Sequence, residues 1–316
     1  MPGAPPPHVA IPKSYQNVGF KHTKISHYPA SSAEVTPIVI FTLYRPGKYN
    51  AFTETMMDEV EQAFQWFDLD DRVKCVITTG DGRIFCAGAD LETSFKGGYE
   101  KPSDHRDGGG RCSLAIHRCR KPTIAAMQGS AVGVGITMTL PMTIRIVYAQ
   151  AKIGFVFARR GLIMEACSAF FLPRLIGMSR ALHLVTTGAT YRADDKLFGD
   201  LFSETLDAPE KVLPRALEIA DEIVKNTSVV STHLMRELMY RNPGSAEGTH
   251  LLDSKLIFEM FSNPDNKEGV ASFMEKRQVN FKGTLEDDGP VSYPWWEPID
   301  VVRGAKPVGY QYKPKI

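Results

Sequence analysis

Glu165 is the residue whose surroundings most invite chemistry. It stands in Gly161-Leu162-Ile163-Met164-Glu165-Ala166-Cys167-Ser168, with Phe170, Phe171 and Leu172 close behind. Burial among such side chains disfavours a charged carboxylate and raises its pKa. A value nearer neutrality suits a group that takes up a proton and returns it. The same residue also fits a helix cap or an ion pair with Arg159 or Arg160, and composition weighs those readings equally with the first.

Two glycine-rich turns offer complementary chemistry. Gly88-Ala89-Asp90 follows Phe85-Cys86-Ala87, and Gly133-Val134-Gly135 opens an apolar segment reaching Leu140. Small residues let a ligand approach the backbone closely. A free N–H at Ala89 can face a developing oxyanion. The N–H of Val134 opens a helix, and helix N-termini stabilise negative charge. Two such donors from separate turns make an oxyanion hole, usually the largest electrostatic contribution to carbonyl activation. Each turn taken singly also fits an ordinary tight turn.

Other chemistries find no footing. Gly129–Gly135 reads G-x-x-x-G-x-G, not the dinucleotide order, and no phosphate loop, G-x-S-x-G elbow or H-E-x-x-H motif occurs. His105, Cys112, His117 and Cys119 lie close in sequence, but their spacing fits no zinc module. The cysteines are Cys75, Cys86, Cys112, Cys119 and Cys167, an odd number without a CxxC pair. That reads as a reduced compartment, not a disulfide framework.

The elements that must position these residues alternate. Ile38–Leu43 reads as a strand ending in Arg45-Pro46-Gly47. Thr53 caps a helix in which Met56, Met57, Val60, Phe64 and Phe67 recur at helical spacing. Val73–Thr78, Thr123–Gln128 and Met142–Tyr148 read as further strands, and Leu114–Arg118 as the end of a helix. Residues 92–112, with two glycine runs, read as a long loop of the kind that forms lids or binding loops. Phe170–Gly177, Arg180–Thr186, 210–227, 228–241, 248–261 and 266–276 carry helical patterning. Strands alternating with helices, then helices alone, argue an α/β fold with a helical C-terminal region.

The chain has 316 residues, 37 Lys+Arg and 36 Asp+Glu, for a net charge of +1. Such balance argues against nucleic acid or a polybasic membrane contact, yet allows a locally basic pocket. No apolar run is long enough for a membrane span, and the N-terminal lead is proline-rich without an apolar signal core. The closing Lys313-Pro314-Lys315-Ile316 resembles a peroxisomal address with two departures, so the expected location is cytoplasmic or peroxisomal.

Several stretches together resemble the crotonase, or enoyl-CoA hydratase/isomerase, superfamily. Arg45–Phe52 is similar to its RPxxxNAL segment, Gly82–Leu91 to FxAGADL, and Lys121–Gly135 to KPxIAAxxGxAxGGG. Leu172–Gly177 followed by Thr187-Gly188 resembles LPRLIG…LTG, and Glu268-Gly269 through Phe281 resembles EG…AFxEKRxPxF. The resemblance implies a ββα spiral core over residues 35–207 and a helical trimerisation region over 208–283. A flexible lead, 1–34, and a C-terminal extension, 284–316, flank them. It implies a homotrimer or dimer of trimers acting on an acyl-CoA thioester, with no metal and no cofactor beyond the substrate's CoA moiety.

Carried over by position, the oxyanion donors are the N–H groups of Ala89 and Val134, the latter where the family usually has Gly. Lys48, Tyr49, Ala87, Asp90 and Leu91 fall at CoA-binding positions. So do Phe273 and Lys276, which the family often supplies from a neighbouring subunit. Family hydratases use two carboxylates, and the matching positions here are Thr137 and Phe157. Glu165 matches the single acid of peroxisomal-type Δ3–Δ2-enoyl-CoA isomerases. Phe155 and Phe157 are read as a wall that keeps water out. The expected activity is therefore Δ3–Δ2 isomerisation. The alternatives are a hydratase or lyase using Glu165 and water, and a non-catalytic acyl-CoA-binding or assembly subunit.

Overall fold

The structure is a computed structural model that describes residues 9–92 and 105–301. Its elements run β1 (Thr23–Tyr28), β2 (Ile38–Leu43), α1 (Glu54–Leu69), β3 (Cys75–Gly80), β4 (Ile84–Cys86), α2 (Gly108–Arg118) and β5 (Thr123–Met127). There follow β6 (Ser130–Val132), α3 (Val134–Thr137), β7 (Ile144–Tyr148), β8 (Lys152–Gly154), α4 (Ser168–Ile176), α5 (Met178–Thr187), β9 (Thr190–Arg192) and β10 (Glu204–Leu206). After these, among the described residues, come only helices: α6 (Val212–Asn226), α7 (Val229–Tyr240), α8 (Ala246–Met260), α9 (Pro264–Glu275) and α10 (Leu285–Asp288).

The strands form two sheets. A six-stranded sheet has the order β1-β2-β3-β5-β7-β10, and a four-stranded one the order β4-β6-β8-β9. β3 and β5 are buried along their whole length, as parallel strands covered on both faces must be. Alternate residues face opposite ways. Ile77, Ile124, Ala126 and Ile146 pack on Val212, Ala216 and Ala220 of α6. Val39, Phe41, Val76 and Ala125 point instead into the main core with Phe64, Phe67 and Phe85. Thr53 caps α1 as expected, its hydroxyl accepting from the Met56 N–H at 3.1 Å.

Three expectations need correction. First, residues 9–34 are not merely a lead. β1 pairs antiparallel with β2 from Thr23↔Leu43 to Tyr28↔Ile38, and Tyr15 is fully buried. The Tyr15 hydroxyl donates to Asp70 at 2.8 Å, so a polar tip finds a partner and the ring fills the core. Second, the loop read over 92–112 is shorter. Asp107 caps α2 by accepting from the Gly110 N–H, so Gly108-Gly109-Gly110 is a first helical turn; residues 93–104 lie outside the described residues. Third, neither Arg159 nor Arg160 pairs with Glu165: Arg159 donates to the Thr187 carbonyl and Arg160 to that of Arg159.

The C-terminal extension packs on the body as far as it is described. Tyr293 meets His233 at 2.9 Å, Trp295 donates to the Arg241 carbonyl at 3.0 Å, and the Arg241 guanidinium lies over Trp296. Arg106 donates to the Val301 carbonyl at 2.7 Å. The residues Lys313–Ile316, read as an address, lie outside the described residues. Among those described, no helix is long and apolar enough to cross a membrane.

Candidate active site

The two glycine-rich turns leave neighbouring parallel strands. β4 pairs with β6, Ile84 opposite Ser130 and Cys86 opposite Ala131, so Gly88-Ala89 and Gly133-Val134 emerge side by side. Gly88 has φ +93°, and a Cβ there would lie 2.9 Å from the Val132 carbonyl oxygen. Only glycine lets the turns close to this spacing. Phe52 pins the first turn from the far side: its N–H donates to Gly88 O and its carbonyl accepts from Asp90 N, both at 2.8 Å. Asn50 holds the strand that feeds the turn, its amide donating to the carbonyls of Asp81, Ile84 and Phe85. Among the described residues, neither the Ala89 N–H nor the Val134 N–H has an acceptor. Two adjacent turns thus each present an unused donor.

Glu165 is joined to the second turn. Thr137 closes α3, three residues beyond Val134, and its hydroxyl donates to Glu165 Oε1 at 2.7 Å. Glu165 Oε2 rests on the first turn of α2, where a Cβ on Gly109 would lie 1.4 Å from it. Among the described residues Glu165 has no cationic partner. Burial pushes its pKa up from 4.5 to about 7; the Thr137 bond works against the rise, and the nearby Asp107 carboxyl adds to it. The next two residues, Ala166 and Cys167, both have positive φ (59° and 54°), a conformation non-glycine residues rarely hold. The Ala166 N–H donates to Asp107 Oδ1 at 3.2 Å. Asp107 is thus a member of the site that the sequence reading did not single out.

The positions matched to CoA binding divide. Lys48, Tyr49, Ala87 and Asp90 lie together: Ala87 N donates to the Tyr49 carbonyl at 3.1 Å, and Lys48 reaches Glu92 at 3.0 Å. Arg83 donates to the Tyr49 hydroxyl and stacks over its ring. The Asp90 carboxylate is committed to Arg45 at 2.9 Å, which holds its pKa below the usual range, so its side chain braces the turn. Leu91 is exposed. Phe273 and Lys276, at the end of α9, are exposed, and no described hydrogen bond, ion pair or ring contact joins them to this group. Phe155 belongs to the main core, whereas Phe157 is half-buried on the turn Val156–Arg160.

Other chemistries remain unsupported by the geometry. Burial pushes the thiols of Cys75, Cys86 and Cys119 up to about 12, so no thiolate nucleophile forms there near neutral pH. Among the described residues no three His, Cys, Asp or Glu side chains are grouped to hold a metal. A groove of about 510 Å3 between α1 and α2 is lined by Asp58, Glu61, Asp68 and Arg118. Its three carboxylates against one arginine do not suit CoA phosphates, and it does not include Glu165.

The family profile described as Enoyl-CoA hydratase/isomerase matches residues 34–284. The chain belongs to this family. It is 49% identical over 280 residues to the enoyl-CoA hydratase AFT3-1 of Alternaria alternata, covering 88% of this chain and 92% of that one. It is 50% identical over 251 residues to the enoyl-CoA hydratase ACTT3 of the same organism, covering 79% and 84%. The crystal structure of an enoyl-CoA hydratase from Bacillus anthracis aligns with a TM-score of 0.73 at 26% identity, over 84% of this chain and 100% of that one. As an enoyl-CoA hydratase/isomerase family enzyme, the chain has the crotonase fold, and its two turns and Glu165 acquire a common context.

Proposed function

We propose that the chain is an enoyl-CoA isomerase that moves a double bond from Δ3 to Δ2. The thioester carbonyl sits between the Ala89 and Val134 N–H groups. They stabilise the oxyanion of the dienolate formed when Glu165 removes a proton from C2. Glu165 then returns that proton to C4, so substrate and product differ only in the place of the double bond. The observation that carries this reading is Glu165 itself: half-buried, without a cation among the described residues, with a pKa pushed up to about 7. A proton shuttle works best when its pKa lies near the operating pH. Thr137, at one hydratase-carboxylate position, supplies a hydroxyl, and Phe157 at the other supplies none, which disfavours two-carboxylate activation of water.

On this reading Lys48, Tyr49 and the backbone of Ala87, Asp90 and Leu91 flank the CoA end, and Phe273 and Lys276 serve a neighbouring subunit. The exposed Leu251, Phe258, Phe261, Val270 and Met274 of α8, α9 and their junction support self-association as a trimer or dimer of trimers. The test is turnover of a 3-enoyl-CoA by the wild type and by Glu165→Gln. Equal rates would overturn the reading.

A second reading is hydration of a 2-enoyl-CoA by Glu165 and water. The names of the Alternaria relatives favour it. It requires oxygen from labelled water to appear in a 3-hydroxyacyl-CoA product.

A further inference from the structure

Asp107 and Glu165 are far apart in sequence, yet both lie at the first turn of α2. Asp107 Oδ1 accepts from the Gly110 N–H at 2.5 Å and from the Ala166 N–H at 3.2 Å. The first bond caps the helix; the second grips the peptide that follows Glu165. Ala166 is held there at φ 59°, so the grip fixes a strained backbone that aims the glutamate. Glu165 Oε2 lies over Gly109, between the two residues whose N–H groups and carboxyl form this cap. The Asp107 carboxyl is thus fixed beside Glu165, on the N–H of the very next residue, and its charge helps to raise the Glu165 pKa.

The other groups facing Glu165 do not substitute for Asp107. Thr137 of α3 is neutral and donates to the opposite carboxylate oxygen. Cys112 of α2 and Cys167 before α4 feel the Glu165 charge, and burial raises both thiols, so neither carries charge near neutrality. Arg118, the cation felt at Cys167, stands at the far end of α2.

We propose that Asp107 is a positioning residue for Glu165: it clamps the backbone behind the base and sets a second negative charge beside it. Two carboxylates in one site resist sharing two negative charges, so one of them keeps a proton more tightly. Glu165 therefore holds the proton it takes from C2 long enough to return it, instead of losing it to solvent. The catalytic part of this inference rests on the proton-shuttle reading above; the electrostatic part does not.

The experiment separates the two. Asp107→Asn keeps a side-chain oxygen for the cap and for Ala166 N–H but removes the charge, and Asp107→Ser is a second neutral cap should the first fold poorly. Protein labelled with 13C at glutamate carboxyls is titrated by NMR, the Glu165 signal being assigned by its loss in Glu165→Gln. A Glu165 midpoint lower by about one unit in the neutral-cap variants supports the proposal. The acid limb of kcat/KM for a 3-enoyl-CoA should move down with it, kcat falling about tenfold and KM within about threefold. An unmoved Glu165 midpoint overturns the proposal. Absence of 3-enoyl-CoA turnover in the wild type overturns the isomerase reading instead, and the titration still decides the role of Asp107.

Discussion

Thr137 Oγ1 donates a 2.7 Å hydrogen bond to Glu165 Oε1. Thr137 ends the short helix that begins at Val134, so one helical turn, a rise of about 4.5 Å, separates an unused backbone donor from the residue holding the carboxylate. A hydroxyl donor here favours the ionised carboxylate and offsets part of the cost of burying it.

Thr137→Val tests this offset. Losing a bond to the charged form raises the Glu165 pKa further. If the ionised carboxylate is the base, the acid limb of kcat/KM for a 3-enoyl-CoA moves to higher pH. The loss should be greater at pH 6 than at pH 8. A parallel loss at both values would show that the hydroxyl only fills space.

Gly109→Ala should silence the enzyme without unfolding it. The new methyl would occupy the position of Glu165 Oε2, 1.4 Å from it, while alanine favours the α2 helix. Displacing a base by about 1 Å commonly costs on the order of 100-fold in rate. The expected result is a kcat reduced by at least that factor with an unchanged circular dichroism spectrum.

Stability should depend on pH through Glu165. Its folded pKa of about 7 lies above the ordinary 4.5, so between those values the folded state binds more protons than the unfolded one. Stability from this residue is therefore present at low pH and is lost as pH rises from about 4.5 through about 7. The full span corresponds to about 3 kcal/mol as an upper bound. Glu165→Gln should gain in Tm over the wild type, and the gain should widen from pH 5 to pH 8 in calorimetry.

Arg45→Ala should loosen the first donor turn. Arg45 binds both the Ala51 carbonyl and the Asp90 carboxylate, and its loss takes away the ion-pair partner of Asp90. The expected outcome is a Tm lower by several degrees and a raised KM for the acyl-CoA. A KM unchanged with lowered Tm would confine Arg45 to stability.

The long strands and helices were legible because their periodicity extends over enough residues. Ile38–Leu43, the helix capped by Thr53, and the buried strands β3, β5 and β7 lie where pattern places them. β4, β6, β8, β9 and β10 have three residues each, too few to show alternation. β1 hid behind polar residues on both faces: Lys24 and Ser26 point outward, and Thr23 and His27 are themselves buried, which leaves Ile25 as the one apolar inward residue of the strand. At the site, Glu165 and the two glycine turns announced themselves by contrast with apolar or small neighbours. Asp107 did not: an aspartate before glycines is an ordinary turn or cap, and its partner at Ala166 is 59 residues away.

The two faces of the larger sheet have different neighbours. Both unused N–H donors hang from the four-stranded sheet, whose Phe85, Cys86, Ala131 and Ile153 pack in the same core as Val39, Phe41 and Val76 of the six-stranded sheet, whereas the face under α6 belongs to the larger sheet alone. A cavity under α6, among Ile77, Ile124 and Ile146, would lower the melting point without touching the strands that carry the donors, whereas one in the shared core would reach both. Thermal tolerance is thus adjustable apart from chemical rate on the α6 face, and the two are coupled in the core that the sheets share.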